Sequence, residues 1–343
     1  MGIAARLDAP SVLFLTSNIE DYLSDGLFHG LRTILGDSVL DFPKNDAAYR
    51  SYRDLTGLYG HGFTLYGLLE DVPLNRRLTM ERARRGDFDL VVFGDIWRNF
   101  GRLLELLPSL GRSRVAFLDG ADHAAPYPYS PALWRVPQWW TLPRAHTRGT
   151  YFKRELTVRT AQYRFFLPIP GGLAERLPFQ RALRPIAFSI PEEKIVAEPP
   201  PKTKQFPRHV VDAEVAARTD ATPEYPFDQE SDYYTDLRAA RFGVTTKRAG
   251  WDCLRHYELA ASGCVLCFRN LDRKPPRSAP HGLEDGRNCL SYHDADELFR
   301  RIDALSDDEY ARLQAGTLDW ARANTTRRRA HEFLQAMGFD VHE

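Results

Sequence analysis

A segment of the C-terminal half, residues 242–269, combines basic residues, a glycine and an acidic residue at a spacing that suits anion binding. Its pattern predicts a strand, a basic turn that contains glycine, a helix and a second, buried strand. Backbone N–H groups and the dipole at the N-terminus of such a helix attract phosphate groups. The candidate binding residues in the turn and the helix are Lys247, Arg248, Gly250, Arg255, His256 and Glu258.

Glu258 lies one to two turns inside the predicted helix. A carboxylate at that depth can reach a ribose hydroxyl if the bound anion is a nucleotide phosphate, so the arrangement suits a sugar nucleotide. The structural alternative is an exposed pair between Arg255 and Glu258, which would stabilise the helix by about 0.2–0.5 kcal/mol. The residue types alone leave both interpretations open.

The N-terminal half alternates short apolar runs with helical patterns, which predicts a parallel, doubly wound sheet. Strands are predicted at 11–16, 38–42, 90–93 and 114–118, and helices at 26–35, 63–69 and 79–85. A polar loop is predicted at 17–25. Ligands of such sheets bind beyond the carboxyl ends of the strands, where this half carries polar residues.

An irregular segment, 121–149, is rich in proline, tryptophan and tyrosine and is predicted to be a long ordered loop. Long irregular segments in compact domains are often functional. Its tryptophans, Trp134, Trp139 and Trp140, could form a platform for an acceptor or could pack between domains.

Three consecutive prolines at 199–201 are the clearest linker signal in the chain. We predict an N-terminal domain of residues 1–185 and a C-terminal domain of residues 186–343. The second domain is predicted to contain a short strand at 209–211 and helices over 294–338 that pack back on the first domain.

The charges of the 343-residue chain balance, with 46 basic and 46 acidic side chains, which disfavours a nucleic-acid partner. No apolar run approaches the roughly 20 residues needed to span a bilayer. The N-terminus lacks a hydrophobic signal core, and Arg6 breaks the myristoylation pattern. A cytoplasmic protein is expected, and a peripheral contact with a membrane is left open.

No residue pattern in the chain requires a metal ion. The Cys264–Cys267 pair has a metal-like spacing, but it lies in an apolar run where strand alternation places the two thiols on opposite faces. We expect buried, reduced thiols there. Two Asp-x-Asp strings, at 87–89 and 294–296, are explained by turn and helix-cap roles.

The segment 232–305 resembles the C-terminal domain of GT-B glycosyltransferases, and it is most similar to the family-1-like and exostosin-like groups. The resemblance follows the order strand, basic turn, glycine, Arg-x-x-Glu and Gly-Cys-Val, at Phe242, Lys247, Gly250, Arg255, Glu258, Ala260, Gly263, Cys264 and Val265. Residues 285–290 resemble the turn and short strand that follow the donor site. The N-terminal half matches only in its alternation of strands and helices.

The resemblance implies an α/β chain in which two Rossmann-like, doubly wound domains face a cleft. It also implies transfer of a sugar from a nucleotide-sugar donor to a hydroxyl-bearing acceptor: a small molecule, a glycan or a lipid-linked molecule. Glu258 would hold the donor ribose, and Lys247, Arg248 or Arg255 would neutralise the diphosphate. No metal and no cofactor beyond the nucleotide-sugar co-substrate is expected. The family's first acidic residue, eight positions before Glu258, is replaced by Gly250.

An inverting transferase also needs a base that deprotonates the acceptor, and we expect it in the N-terminal domain. The candidates are Asp25, His61, Asp95, Asp119, Asp122 and His123. Asp119 and Asp122 directly follow a predicted strand, where doubly wound sheets expose their ligand groups. We favour Asp122, then His61, with Asp119 as the third choice. His61 could instead be a turn residue, and Asp25 could cap the helix that begins at Gly26.

Two other functional classes fit the same residues. The loss of the first acidic residue at Gly250 allows a non-catalytic protein that binds nucleotides or sugar phosphates on the GT-B fold. A sugar-nucleotide epimerase is the second alternative. Assays of donor hydrolysis with candidate acceptors separate a transferase from a binding protein.

Overall fold

The computed structural model of this protein describes residues 9–17, 19–52, 54–55, 57–128, 149–160 and 171–341. Trp134, Trp139 and Trp140 lie outside these ranges. The acceptor platform suggested for these tryptophans therefore stays a prediction.

Within the described residues, the first sheet has six parallel strands in the order β2-β1-β3-β4-β5-β6. The strands are β1 (Val12–Leu15), β2 (Val39–Phe42), β3 (Leu90–Phe93), β4 (Arg114–Asp119), β5 (Thr150–Lys153) and β6 (Leu183–Pro185). Every residue of β1 and β3 is buried, because these apolar strands lie inside a sheet that is covered on both faces. The four strands predicted in the N-terminal half are confirmed to within one residue at each end.

The second sheet, counted over the same ranges, has three parallel strands in the order β7-β8-β9. They are β7 (Phe242–Thr246), β8 (Val265–Arg269) and β9 (Leu290–Tyr292). The strand, turn, helix and strand predicted over 242–269 are all present. The protein is therefore an α/β chain with two parallel sheets, as predicted, and the second sheet is the smaller one.

The helices of the described ranges are α1 (Tyr22–Leu35), α2 (Thr79–Arg85), α3 (Phe100–Leu106), α4 (Gly171–Ala174), α5 (Pro178–Ala182), α6 (Ala213–Ala216), α7 (Glu230–Ala239), α8 (Leu254–Ala261), α9 (Ala295–Asp303), α10 (Asp307–Arg322) and α11 (Thr326–Ala336). Asp294 caps α9 through a hydrogen bond from the Glu297 N–H, which confirms its predicted cap role. None of these helices is long and apolar enough to cross a bilayer. The cytoplasmic location stays a prediction.

Two elements predicted within the described ranges, at 63–69 and 209–211, are not formed. Residues 63–69 form irregular turns rather than a helix, and Thr64 and Gly67 have φ angles of 79° and 69°, outside the helical region. Residues 209–211 contribute a single isolated bridge rather than a strand. Both predictions are wrong, and the contacts that shape residues 63–64 are described with the site below.

Helix α1 begins earlier than predicted, at Tyr22, so the loop predicted at 17–25 is shorter. Asp21 caps the helix because its carboxylate accepts hydrogen bonds from two N–H groups of the first turn. Asp25, suggested as the cap, lies inside this turn, where it is buried and accepts a hydrogen bond of 2.7 Å from Tyr66.

The C-terminal helix α11 packs against α1 of the N-terminal half. His29 Nδ1 lies 2.9 Å from Thr326 Oγ1, and a side chain on Gly30 would collide with the Thr326 carbonyl. Glycine at position 30 therefore permits the close approach of the two helices. The last helix thus joins the two halves of the molecule, while the division of the chain at residue 185 stays a prediction.

Cys264 and Cys267 are free, fully buried thiols. They belong to two different hydrophobic clusters, because they lie on opposite faces of the chain where it enters β8. The predicted buried thiols are confirmed for this pair.

Candidate functional site

A cleft of about 1060 Å³ lies where the carboxyl ends of the strands of both sheets meet. Its N-terminal wall comes from loops that follow β1, β2, β3, β4 and β5, and includes Tyr22, His61, Asp95, Trp97, Asp122 and Arg154. Its C-terminal wall comes mainly from the segment 248–258, which runs from the turn after β7 into α8, with Tyr225 and Tyr233 beside it. This position is the one expected for a ligand of doubly wound sheets.

Arg255 lies in the first turn of α8, and its guanidinium is 5.6 Å from the ring centres of both Tyr225 and Tyr233. Its Nη1 atom is buried and has no hydrogen-bond partner among the described residues. A buried, unpaired N–H group of a charged side chain is costly. Because Arg255 also lines the cleft, this N–H group is a candidate donor to a bound anion.

Glu258 follows Arg255 by one helical turn and also lines the cleft. Its Oε2 accepts a hydrogen bond of 2.5 Å from Tyr233, and its Oε1 accepts one of 2.6 Å from Thr64. Each carboxylate oxygen can accept a further hydrogen bond. The residue therefore keeps acceptor capacity towards the cleft, and the exposed helix pair considered from the sequence is not formed, since Glu258 is 7% exposed.

The two basic residues of the turn lie in different places. Arg248 is exposed and lines the cleft. Lys247 lies in a separate, shallower hollow of about 410 Å³, and its Nζ lies 3.4 Å from the Arg248 carbonyl oxygen. The structure thus brings Arg248 together with Arg255 and Glu258, but not Lys247.

Gly250 lies where the two walls come closest. A Cβ atom at this position would lie 2.5 Å from Glu155 Oε1, 2.9 Å from Asp122 Oδ1 and 3.1 Å from Arg154 Nη1. Any side chain at position 250 would therefore meet polar groups of the opposite wall.

Glu155, from the N-terminal half, occupies part of the anion site predicted in this turn. Its Oε1 accepts hydrogen bonds from the N–H groups of Trp251, at 2.8 Å, and Asp252, at 3.3 Å. These two N–H groups are therefore already paired and are not free to bind an anion. Burial raises the pKa of Glu155, and the neighbouring Arg154 charge opposes this shift.

Arg154 fastens the two walls together. Its guanidinium donates to the Gly120 carbonyl at 2.8 and 3.0 Å and to the Asp252 carbonyl at 2.7 Å, and it pairs with Asp122. The side chain is 1% exposed, so these bonds form in a water-poor environment. Asp122, with a side chain 54% exposed, is thereby held at the surface of the cleft.

His256 lies behind the wall instead of in the cleft. Its Nδ1 is 2.7 Å from Thr245 Oγ1 and its Nε2 is 2.9 Å from the Trp251 carbonyl. Burial lowers the pKa of His256 to about 4, so the ring is neutral at pH 7. This geometry ties the end of β7 to the turn and does not favour direct contact with a ligand.

Asp119 is fully buried at the end of β4 and accepts hydrogen bonds from Tyr151 at 2.5 Å, Trp97 at 2.8 Å and Lys153 at 2.9 Å. Burial alone would raise its pKa, but the Lys153 charge and these bonds bring the pKa below its usual range. It lies behind the cleft surface, which does not favour a role as a base.

His61 lines the cleft in a segment with positive φ angles, at 60° for Gly60, 56° for His61 and 66° for Gly62. Its Nε2 lies 3.9 Å from Asp228 Oδ1 on the C-terminal half. Two of the three preferred base candidates, Asp122 and His61, therefore face the cleft.

Asp95 also faces the cleft, at the end of β3, with a φ angle of 43°. Burial and then the neighbouring Asp21 raise the pKa of Asp95 to about 7, while Arg98, 3.0 Å away, lowers it. This carboxylate is a further candidate for proton transfer near neutral pH.

Solved structures of other proteins share this architecture. HepE from Anabaena in complex with UDP aligns over 96% of this chain and 99% of its own, at 11% identity and a TM-score of 0.55. A glycosyltransferase from Rickettsia africae aligns over 95% of this chain and 97% of its own, at 8% identity and a TM-score of 0.52. A scan against protein-family models and a search of curated proteins find no match.

The chain has the GT-B fold. The fold that the segment 232–305 led us to predict is thus confirmed over nearly the whole chain. At these identities the likeness concerns architecture, so the roles of individual residues rest on the geometry above.

Within the described part of this GT-B chain, no group of three His, Cys, Asp or Glu side chains is placed to hold a metal ion. The charged groups that face the cleft from the C-terminal wall include Arg248, Arg255 and Glu258. These residues are therefore the ones available to a charged ligand on that side.

Sequence reasoning missed two polar residues of the GT-B cleft region, Thr64 and Glu155. Thr64 lies in a stretch whose apolar spacing indicated a helix, and Glu155 follows a strand as an ordinary charged residue. Each acts on a residue of the opposite half, so no local pattern could have identified it.

Proposed function

We propose that this protein is a glycosyltransferase that moves a sugar from a nucleotide-sugar donor to a hydroxyl-bearing acceptor. The observation that carries the proposal is that Arg255 and Glu258 lie one turn apart on α8 and both line the cleft of a GT-B fold. The one offers a buried, unpaired N–H group and the other free acceptor capacity. The complexes of HepE with UDP and with UDP-glucose support a donor of this class.

In the proposed donor complex, Glu258 accepts hydrogen bonds from the ribose hydroxyls. Arg255 binds the diphosphate, with its unpaired Nη1 as the donor. Arg248, which is exposed at the same edge of the cleft, adds a second positive charge. The N-terminus of α8 contributes its dipole to the same charge.

These groups make a metal ion unnecessary for holding the leaving diphosphate, so we propose a metal-independent reaction. Stabilisation of the charge that develops on the leaving group is the main demand of the transfer step. Two arginines and a helix N-terminus supply it without a metal ligand set.

We propose Asp122 as the base that deprotonates the acceptor hydroxyl. It reaches the cleft from the N-terminal wall, and its carboxylate lies 2.9 Å from the place of a Cβ on Gly250, beside the proposed donor site. Arg154 fixes its orientation. His61, on the same wall, is the second candidate.

A thermal-shift panel of UDP, GDP, ADP, dTDP and CDP tests the donor site. A ligand that binds the native state at 100 times its Kd stabilises it by about 2.7 kcal/mol. We expect one nucleotide to stabilise the protein, and Glu258→Gln to remove most of that stabilisation. Lys247→Ala, on the same turn but outside the cleft, is the matched control and should keep it.

A flat panel with the native protein would contradict the proposed donor site. A nucleotide that binds, combined with no release of sugar from the matching nucleotide sugars in the presence of any acceptor, would favour the non-catalytic binding protein instead. Transfer measured with and without a chelator then tests metal independence.

A further inference from the structure

The segment 59–64 of the N-terminal half crosses the cleft and contacts the C-terminal half. At its first residue, the Tyr59 N–H donates to Glu20 Oε1 at 3.0 Å, and the Tyr22 hydroxyl donates to the Tyr59 carbonyl at 3.2 Å. These two bonds anchor the segment to the loop that follows β1 and to the start of α1. Its other end, Thr64, is anchored on the opposite half.

Thr64 is 1% exposed and makes three hydrogen bonds to residues of the C-terminal half. Its N–H donates to Glu230 Oε1 at 2.7 Å, its hydroxyl donates to Glu258 Oε1 at 2.6 Å, and its hydroxyl oxygen lies 2.8 Å from the Tyr234 hydroxyl. The Thr64 hydroxyl has a single proton, which it donates to the Glu258 carboxylate, so the Tyr234 hydroxyl is the donor to Thr64.

The backbone of Thr64 is held in an unfavourable conformation. Its φ angle of 79° lies in a region that β-branched residues strongly avoid. Such a conformation persists only where surrounding contacts fix it, and it is concentrated at functional sites. Here the three bonds to Glu230, Tyr234 and Glu258 are the contacts that fix it.

Within the described part of the chain, the two protein donors to Glu258 come from the two halves of the molecule. Tyr233 holds Oε2 from the C-terminal half and Thr64 holds Oε1 from the N-terminal half. Together they fix the plane of the carboxylate and leave one acceptor direction on each oxygen. A pair of adjacent hydroxyls, as on a ribose, matches these two directions.

We propose that Thr64 is a positioning residue of the donor site, supplied from the opposite half, which orients Glu258 towards the two hydroxyls of a ribonucleotide. This inference rests on the proposed function. If it holds, the ribose site is complete only when the segment 59–64 lies across the cleft. The preference for ribose over 2′-deoxyribose then depends on the Thr64 hydroxyl.

The test uses binding titrations of UDP, GDP, ADP and CDP, each beside its 2′-deoxy counterpart, to the full-length protein. Thr64→Val keeps the β-branched shape and the same backbone strain but removes the hydroxyl, whereas Thr64→Ser keeps the hydroxyl. We expect Thr64→Val to lower the affinity for the ribonucleotide that binds best by about 10-fold, since a hydrogen bond to a charged group is lost. Binding of the 2′-deoxy counterpart should weaken less, so the preference for ribose over 2′-deoxyribose becomes smaller. Thr64→Ser should stay within about 3-fold of the native affinity.

If Thr64 has a purely structural role, Thr64→Val should lower the melting temperature and weaken the binding of the ribonucleotide and of its 2′-deoxy counterpart equally. That result would overturn the inference. Native affinity and native ribose preference in Thr64→Val would overturn it as well. Tyr234→Phe, which removes only the donor that orients Thr64, is the second variant if Thr64→Val does not fold, and it should shift the ribose preference in the same direction. If the native protein binds none of the nucleotides, the proposed function itself fails. If the native protein binds a nucleotide and Thr64→Val does not change that binding, only the inference about Thr64 fails.

Discussion

The C-terminal wall of the cleft takes most of its polar groups from one continuous segment, 248–258, that joins a strand to a helix. The N-terminal wall collects its groups from loops that follow successive strands of the first sheet. In the proposed function the first wall binds the donor and the second provides the base. The wall made by one local motif is thus contacted by residues far away in sequence, such as Thr64 and Glu155.

The largest effect is expected on the N-terminal wall, for Asp122→Asn. Loss of a general base lowers kcat by roughly 10²- to 10⁴-fold, while the affinity for the nucleoside diphosphate should stay within about 3-fold. Steady-state kinetics with the native donor and acceptor, beside a binding titration, measure both quantities. His61→Gln is the companion variant on the same wall.

A large loss of kcat in His61→Gln, with Asp122→Asn close to the native enzyme, would exchange the two assignments. Loss of nucleotide affinity in Asp122→Asn would instead show that the N-terminal wall also holds the donor. Either result would break the division of labour between the walls.

The two walls also differ in how well the sequence predicts them. Strands β1 to β4 are short apolar runs, and β7, the turn and α8 follow one another in the order that the pattern indicates, because burial and local propensity act within a few residues. Arg248, Gly250, Arg255 and Glu258, which belong to that local order, line the cleft. Their roles there stay predictions until they are tested by mutation.

The failures have a common physical cause. The region 63–69 was predicted as a helix from its apolar spacing, but the bonds of Thr64 to the other half hold it at a positive φ angle. Likewise, Glu155 fills a site in the 251–252 turn that looked free from sequence. Contacts between residues distant in sequence override local preference, and a single sequence does not reveal them.

The second prediction concerns how the stability of the protein depends on pH through His256, which lies behind the C-terminal wall. Its pKa is about 4 in the folded state and about 6.5 in the unfolded chain, so the unfolded chain binds more protons between these values. The free energy of unfolding should therefore fall as the pH drops from about 6.5 to 4, with His256 contributing on the order of 3 kcal/mol. Asp252, Arg154 and Arg255 are the charged neighbours that modify this value.

Denaturant unfolding at pH 7 and pH 4.5 measures this dependence. His256→Gln should be less stable at pH 7, because two buried hydrogen bonds are perturbed, but its stability should fall less between the two pH values. An unchanged pH dependence in this variant would show that His256 is not the group that titrates.

The third prediction distinguishes two basic residues, Arg255 in α8 and Lys247 in the turn. Arg255→Ala should weaken nucleoside diphosphate binding about 30-fold, or about 2 kcal/mol, because a charge-assisted hydrogen bond to the phosphate is lost. Its free energy of unfolding should change by less than about 1 kcal/mol, since removal of an unpaired buried N–H offsets the lost contacts with Tyr225 and Tyr233.

Lys247→Ala is the matched control, because Lys247 lies in the same turn region but faces the separate hollow. Isothermal titration with the nucleotide that binds best measures both variants. Equal losses in the two variants would mean that binding depends on general positive charge, and the distinction between the cleft and the hollow would be lost.

The last prediction tests how closely the two walls meet. A methyl group on Gly250 would overlap Glu155 Oε1, and this carboxylate cannot withdraw without giving up the Trp251 and Asp252 N–H groups. Gly250→Ala should therefore lower the free energy of unfolding by about 1–3 kcal/mol. It should also lower the affinity for the nucleotide, because the two walls of the cleft move apart. Gly101→Ala, in α3 with open space around the added carbon, should gain about 0.5–1 kcal/mol instead. If both variants gained stability, the contact between Glu155 and the turn could not be what closes the cleft, and the two walls would have to be held together by Arg154 and by α11 packed on α1.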